Sequence, residues 1–184
     1  MNRFQRMGII ILTVPLLAIA SASLAQADEM YLWVKGQKQG QIKGGVTRKG
    51  LEGTIEVLRM SYELGTARDA ASGLPSGKRQ HKPFTITKPI DKSSPLLFRA
   101  LVENENLPEV FLDTLMPQMG SGVMIKFQTI KLINARVAGY RRFTEPDPRG
   151  VARTLEEVSF VYLAVEVTHH DGGVIAGDSW MAGQ

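Results

Sequence analysis

Four short stretches of this 184-residue sequence hold residue types that could do chemistry. The first, Gly73-Leu74-Pro75-Ser76-Gly77-Lys78, has the glycines and lysine of a phosphate-binding loop. Such a loop needs four residues between its glycines, a Ser or Thr after the lysine, and a helix N-terminus facing the phosphates. Here three residues separate the glycines, Arg79 follows the lysine, and the pattern runs on into a strand, so nucleotide binding is not expected. The second is the basic run Lys78-Arg79-Gln80-His81-Lys82, which could contact phosphates. Only Phe84 lies near it as a stacking platform and no RNA-binding signature accompanies it, so it reads as a solvated or interfacial face.

The third is His169-His170. Neighbours on a strand point to opposite faces, and no HExxH or two-His-one-carboxylate spacing accompanies them, so a shared metal is not expected. The fourth is Glu156-Glu157, which would also alternate across a strand and is not a glycosidase pair as spaced. Gly120-Ser121-Gly122 is not a nucleophile elbow, and His81 could serve Ser76 or Ser94 only through a proximity that spacing does not supply. No catalytic, cofactor-binding or metal-binding residue is assigned, and the expectation is that the chain is not an enzyme.

The elements around these residues are mostly strands. Gly, Pro and Asp clusters break the chain every ten or so residues, which suggests an all-β sandwich or barrel. Residues 30–36 open it, and 51–60 put Leu51, Ile55 and Val57 on one side with Glu52, Thr54 and Glu56 on the other. Residues 67–80 hold two glycines, a proline and little apolar content, so a long loop is expected there. The strand then resumes at His81 with Phe84 and Ile86 inward and Ile90 as a further inward candidate. A helix over about 95–103 is predicted, with Asp91 or Ser93/Ser94 offering its N-cap; with Ser94 there, Pro95 falls at the first helical position, where its missing N–H costs nothing. Leu96, Leu97, Ala100 and Leu101 share its apolar face.

Further strands are expected at 108–116, 123–140 and 155–170. In 123–140 the apolar phase changes from Ile125 and Phe127 to Ile130 and Leu132, as a bulge or bend requires. Residues 155–170 are apolar on both sides, so a helix, a second sheet or a neighbouring subunit must cover the second face. Asp171-Gly172 reads as a tight hairpin turn, with Trp180 at the far end of the last strand.

At the N-terminus, Arg3 and Arg6 precede an apolar run from Gly8 to about Ala20, then small residues ending Ala25-Gln26-Ala27. This is the layout of a secretory signal peptide over 1–27, with cleavage expected between Ala27 and Asp28. The run is interrupted by Pro15 and falls short of the roughly 20 apolar residues that cross a bilayer, so no membrane association is expected once the leader is gone. The formal net charge is +4, and removing Arg3 and Arg6 brings it to about +2. Much of the basicity therefore belongs to the leader, and nucleic-acid binding is not called for. Residues 28–184 suffice for one domain with a real core. With no cysteine in the chain, stability must come from packing or oligomerisation rather than disulfides.

The order of "MYLWVKGQKQGQIKGGV", "SGLPSGKRQHKPFTITKPIDKSSPLLFRAL", "LPEV", "IKLINARV", "LEEVSFVY" and "GDSW" resembles the Hcp family, the hemolysin-coregulated proteins of type VI secretion systems. The resemblance runs from about Met30 to Trp180. It implies a compact barrel of two antiparallel sheets with one flanking helix, assembling as a hexameric ring. Such rings stack into the inner tube that a contractile sheath propels, with a VgrG-type spike and cargo effectors as partners. It implies no catalytic residue and no cofactor. Within this picture Ser76, Gly77, Lys78, Arg79, Gln80, His81 and Lys82 are expected to form a contact loop between subunits. The leader departs from the family, whose tubes assemble in the cytoplasm. Either Met30 is the true start, or the chain is a paralogue exported by another route, periplasmic or secreted.

Overall fold

The computed structural model describes residues 28–180, so the expected leader, with Ala27 at its end, lies outside the described residues. Twelve strands and one helix follow in order. They are β1 (Glu29–Gly36), β2 (Gly40–Ile42), β3 (Ile55–Val57), β4 (Arg59–Ser61), β5 (Leu64–Arg68), β6 (Pro75–His81), β7 (Phe84–Pro89), α1 (Ser94–Val102), β8 (Leu107–Pro117), β9 (Met124–Pro146), β10 (Ala152–Val161), β11 (Ala164–His169) and β12 (Val174–Ser179). All pairings are antiparallel along the path β2-β1-β8-β9-β10-β7-β4, with β11 on β9, β12 on β11 and β3 on β1. This makes two sheets sharing the 23-residue β9, and β5–β6 stands apart as a two-stranded sheet.

The shared strand turns a corner. Its first half pairs with β8 and β11, its second half with β10. The phase change expected in 123–140 is a bulge at Phe127: Thr114 faces Gln128 while Leu115 faces Lys126. A second bulge leaves Ala138 unpaired between Gly139 and Val137. At the corner Asn134 takes φ 50°, the left-handed region that Asn tolerates better than most side chains.

The expected single strand 155–170 is two strands, and the correction explains its two apolar faces. Val158, Phe160 and Tyr162 are buried by the first half, Leu163 is exposed, and Val165 is buried by the second. The chain leaves one sheet and enters the other at Tyr162-Leu163, beside the β9 corner, where Leu163 N–H donates to the Ile133 carbonyl. The phase flips at that step, so each half has one core face and no neighbour is needed to cover a second. Residues 51–60 are likewise not one strand: 51–54 form a turn ahead of β3 and β4. Ile90 is exposed at 46%, outside the core it was expected to join.

Helix α1 packs onto the core through Leu97 and Ala100, which have no exposed surface. Of the candidate caps, Ser93 takes the position, so Ser94 begins the helix and Pro95 falls one residue later than it would with Ser94 as cap. The Ser94 hydroxyl accepts hydrogen bonds from the Asp91 backbone N–H and from Lys88 Nζ, so it does not cap the first turn. At the other end Asn104, at φ 47°, ends the helix in a Schellman motif: Asn104 N–H donates to Leu101 and Glu105 N–H to Ala100.

Candidate functional site

The expected contact loop is a strand. Ser76, Gly77, Lys78, Arg79, Gln80 and His81 belong to β6 and Lys82 follows it, paired with β5 through Leu64 to His81, Gly65 to Gln80 and Thr66 to Arg79. The turn is built by Asp69, whose Oδ1 accepts from the Ser72 hydroxyl and backbone N–H at 2.7 Å each, while Gly73 takes φ 69°. The Ser72 side-chain hydrogen bond, with backbone bonds beside it, holds the Asp69 carboxyl below its ordinary value. All of β5 and residues 75–80 are exposed. A hairpin wet on both faces needs no apolar alternation, which is why its composition reads as loop.

His81 is the buried member of β6, and it anchors a cluster. Its Nδ1 lies 3.2 Å from the Tyr162 hydroxyl and its Nε2 3.2 Å from Asp178 Oδ2. Trp180 stacks on the imidazole at 5.4 Å and 24° between planes. Arg79 grips Asp178 with both arms of its guanidinium, Nε to Oδ2 at 2.7 Å and Nη2 to Oδ1 at 2.9 Å. Burial pushes the Tyr162 hydroxyl well above its ordinary value, so it stays protonated and able to donate. Lys82 pairs with Glu63 at 2.9 Å. The basic run is therefore largely neutralised within the subunit, and Lys78 is its cation without an acidic partner among the described residues.

A second polar centre lies under the start of α1. Lys88 and Glu156, opposite each other on β7 and β10, have no exposed surface. Lys88 Nζ lies 2.9 Å from Asp91 and 3.1 Å from Glu156, and Glu156 also accepts from Arg142 at 2.8 Å and from the Tyr140 hydroxyl. Burial pushes the Glu156 carboxyl up, but the hydrogen bonds from Ser94, Tyr140, Arg142 and Lys88 outweigh it and hold the group below its ordinary value. Above this pair, Ile90, Pro95, Phe98 and Tyr140 line an open cleft of about 600 Å³. The alternation Phe84-Ile86-Lys88 against Glu156-Val158-Phe160 places both charges on the core face, a signal present in the sequence. The adjacent carboxylates do split across the strand, Glu157 pairing with Arg141 on the outer side at 3.0 Å.

The serine and histidine side chains of these clusters are engaged with neighbours within the chain. Ser94 is spoken for by Lys88, and the two ring nitrogens of His81 face Tyr162 and Asp178. His169 ends β11 against the Phe127 ring, while His170 Nε2 lies 2.8 Å from Thr129 Oγ1. Thr129 gives its one proton to Asp113 at 2.5 Å, so His170 must donate to it, the reverse of base activation of a nucleophile. Among the described residues no three His, Asp or Glu groups are placed to hold a metal ion.

Comparison with known proteins fits this architecture. A family profile described as "Type VI secretion system effector, Hcp" matches residues 31–169. The chain belongs to the Hcp family. Within that family it is 32% identical over 166 residues to the "Major exported protein" of Pseudomonas aeruginosa, covering 84% of this chain and 96% of that one. Among solved structures, an Hcp protein superposes with TM-score 0.76 at 30% identity, covering 84% of this chain and 100% of that one. A secreted Hcp protein of Pseudomonas aeruginosa superposes with TM-score 0.68 at 25% identity, covering 85% and 100%. The family match spans the hairpin, α1 and the corner, whereas Asp178 and Trp180 of this Hcp-family chain lie beyond it.

Proposed function

We propose that this chain is a structural, ring-forming subunit of the inner tube of a type VI secretion system, carrying effectors and leaving the cell with the tube. The observation that carries this reading is the family match from β1 to the end of β11. The hairpin supports it: apart from His81 its strands are solvent-exposed, and none of its apolar side chains joins the core, which leaves its outer side for a neighbour. Ser76, Lys78 and Gln80 alternate with the inward-turned Arg79 and His81 and are the residues offered to a neighbouring subunit or ring. Six subunits per ring, and a spike, sheath and cargo as partners, rest on the family resemblance. No catalytic step is proposed.

Size-exclusion chromatography with light scattering on the chain beginning at Asp28 tests the reading. A ring is expected, and a strict monomer at high micromolar concentration would count against it.

A second reading is favoured by the leader-like residues 1–27: an exported Hcp-like binding module not built into the tube. Mass spectrometry of the N-terminus in cell fractions separates the two. A mature Asp28 end in the periplasm supports the module, and a Met30 end in the cytoplasm supports the tube.

A further inference from the structure

We infer that Asp178, on the last strand, is a positioning residue whose carboxylate clasps β6 and sets the direction in which the β5–β6 hairpin stands from the barrel. Beside it, His81 Nδ1 also faces the Tyr162 hydroxyl at 3.2 Å, a second tie from β6 to the barrel, whereas the bonds nearer the turn and base of the hairpin do not set its direction. Arg68 to Gly73 and Asp69 to Ser72 are internal to it, and Lys82–Glu63 at its base is an exposed pair of the kind that contributes little. Asp178, by contrast, binds two residues of β6 at once, through Arg79 and His81. It stands opposite Val165 on β11, a residue in the core, so the clasp rests on a fixed pedestal.

The bonding is directional. A carboxylate only accepts, so His81 Nε2–H donates to Asp178, while Nδ1 faces the Tyr162 hydroxyl at 3.2 Å. Trp180 covers the imidazole face and fixes the ring plane. The two-pronged Arg79 grip supplies charge and geometry together, which a lysine would not. The Arg79 hydrogen bond also holds the Asp178 carboxyl below its ordinary value, keeping it ionised at neutral pH. A hairpin already held in one direction loses less freedom when it docks than a swinging one. Only this last link, to docking, rests on the ring-forming reading.

Hydrogen exchange on the full chain tests the clasp, comparing Asp178→Asn with Asp171→Asn, which removes a charge from the neighbouring turn. Asp178→Asn is expected to speed exchange across residues 64–81 by roughly tenfold, leaving β7 and β10 unchanged, and to red-shift the Trp180 emission over a constant Trp33 background. Asp171→Asn is expected to do neither. Unchanged exchange in the hairpin, or faster exchange throughout the barrel, would overturn the inference. Arg79→Lys gives a second arm: exchange as slow as in the unaltered chain would show that the bidentate grip is not what holds the hairpin. If Asp178→Asn loosens the hairpin yet light scattering shows undiminished assembly, the clasp stands and the hairpin's role in assembly falls.

Discussion

Lys88 and Glu156 are the most exacting residues of the barrel, since two opposite charges without solvent exposure must satisfy each other. Removing Lys88 leaves Glu156 with Arg142 and the Tyr140 hydroxyl, and removing Glu156 leaves Lys88 with Asp91. Either single loss costs less than the roughly 3–5 kcal/mol of a fully uncompensated buried charge, and removing both leaves less charge imbalance than removing Lys88 alone. Lys88→Met is therefore expected to lower unfolding stability in urea by more than Lys88→Met combined with Glu156→Gln. Equal losses would mean that the pair is not coupled. The sign of the pH dependence follows from the depressed carboxyl of Glu156: its contribution is fully present above the ordinary glutamate value of 4.5 and is lost as pH falls through the lower folded value. Circular dichroism should show a flat plateau from neutral pH down to about 4.5, with acid unfolding below it, and Glu156→Gln should weaken that acid step. Both charges follow from the alternation of their strands, but a lysine between Thr87 and Pro89 gives no sign of its partner until the register brings Glu156 opposite it.

At the scale of elements, the corner shared by β9 and the β10–β11 passage decides the architecture. Apolar patterning made the strands legible, and the change of phase near Phe127 marked the bulge. The two-faced pattern of 155–170 was visible but ambiguous, because a phase flip and a doubly buried strand produce the same residue string. Only the pairing partners separate them: Val161 faces Arg136 in one sheet, and Ala164 faces Ile133 in the other. The hairpin was the least legible element, since its strands bury nothing but His81. Asn134 carries the corner's one left-handed side-chain backbone. Asn134→Val should cost about 1–2 kcal/mol by forcing a β-branched residue to positive φ, while Asn134→Gly should fall within a few tenths. Thermal unfolding of the two variants checks this, and a similar loss in both would place the cost in the Asn134 side chain rather than in its backbone.

For the molecule as a whole, the question is which charges are available to a neighbour. A basic run read as a string offers Lys78, Arg79 and Lys82 together, but folding divides them. Arg79 is held by Asp178 and Lys82 by Glu63, so reversing Arg79 would set two carboxylates against each other and disturb the hairpin itself. Lys78 is the position of this run where charge can change without breaking an ion pair among the described residues. Lys78→Glu should leave the unfolding midpoint within about 0.5 kcal/mol of the unaltered chain, as surface changes away from specific partners do. If the hairpin meets a neighbouring subunit through its outward side, the same substitution should shift the concentration at which rings form, read by light scattering across a dilution series. The shift should shrink as salt is raised, because an exposed charge contact is screened beyond about 10 Å at 0.1 M ionic strength. An unchanged dilution profile at low salt, with the monomer folded, would remove Lys78 from the contact and leave Ser76 and Gln80 to make it through uncharged hydrogen bonds.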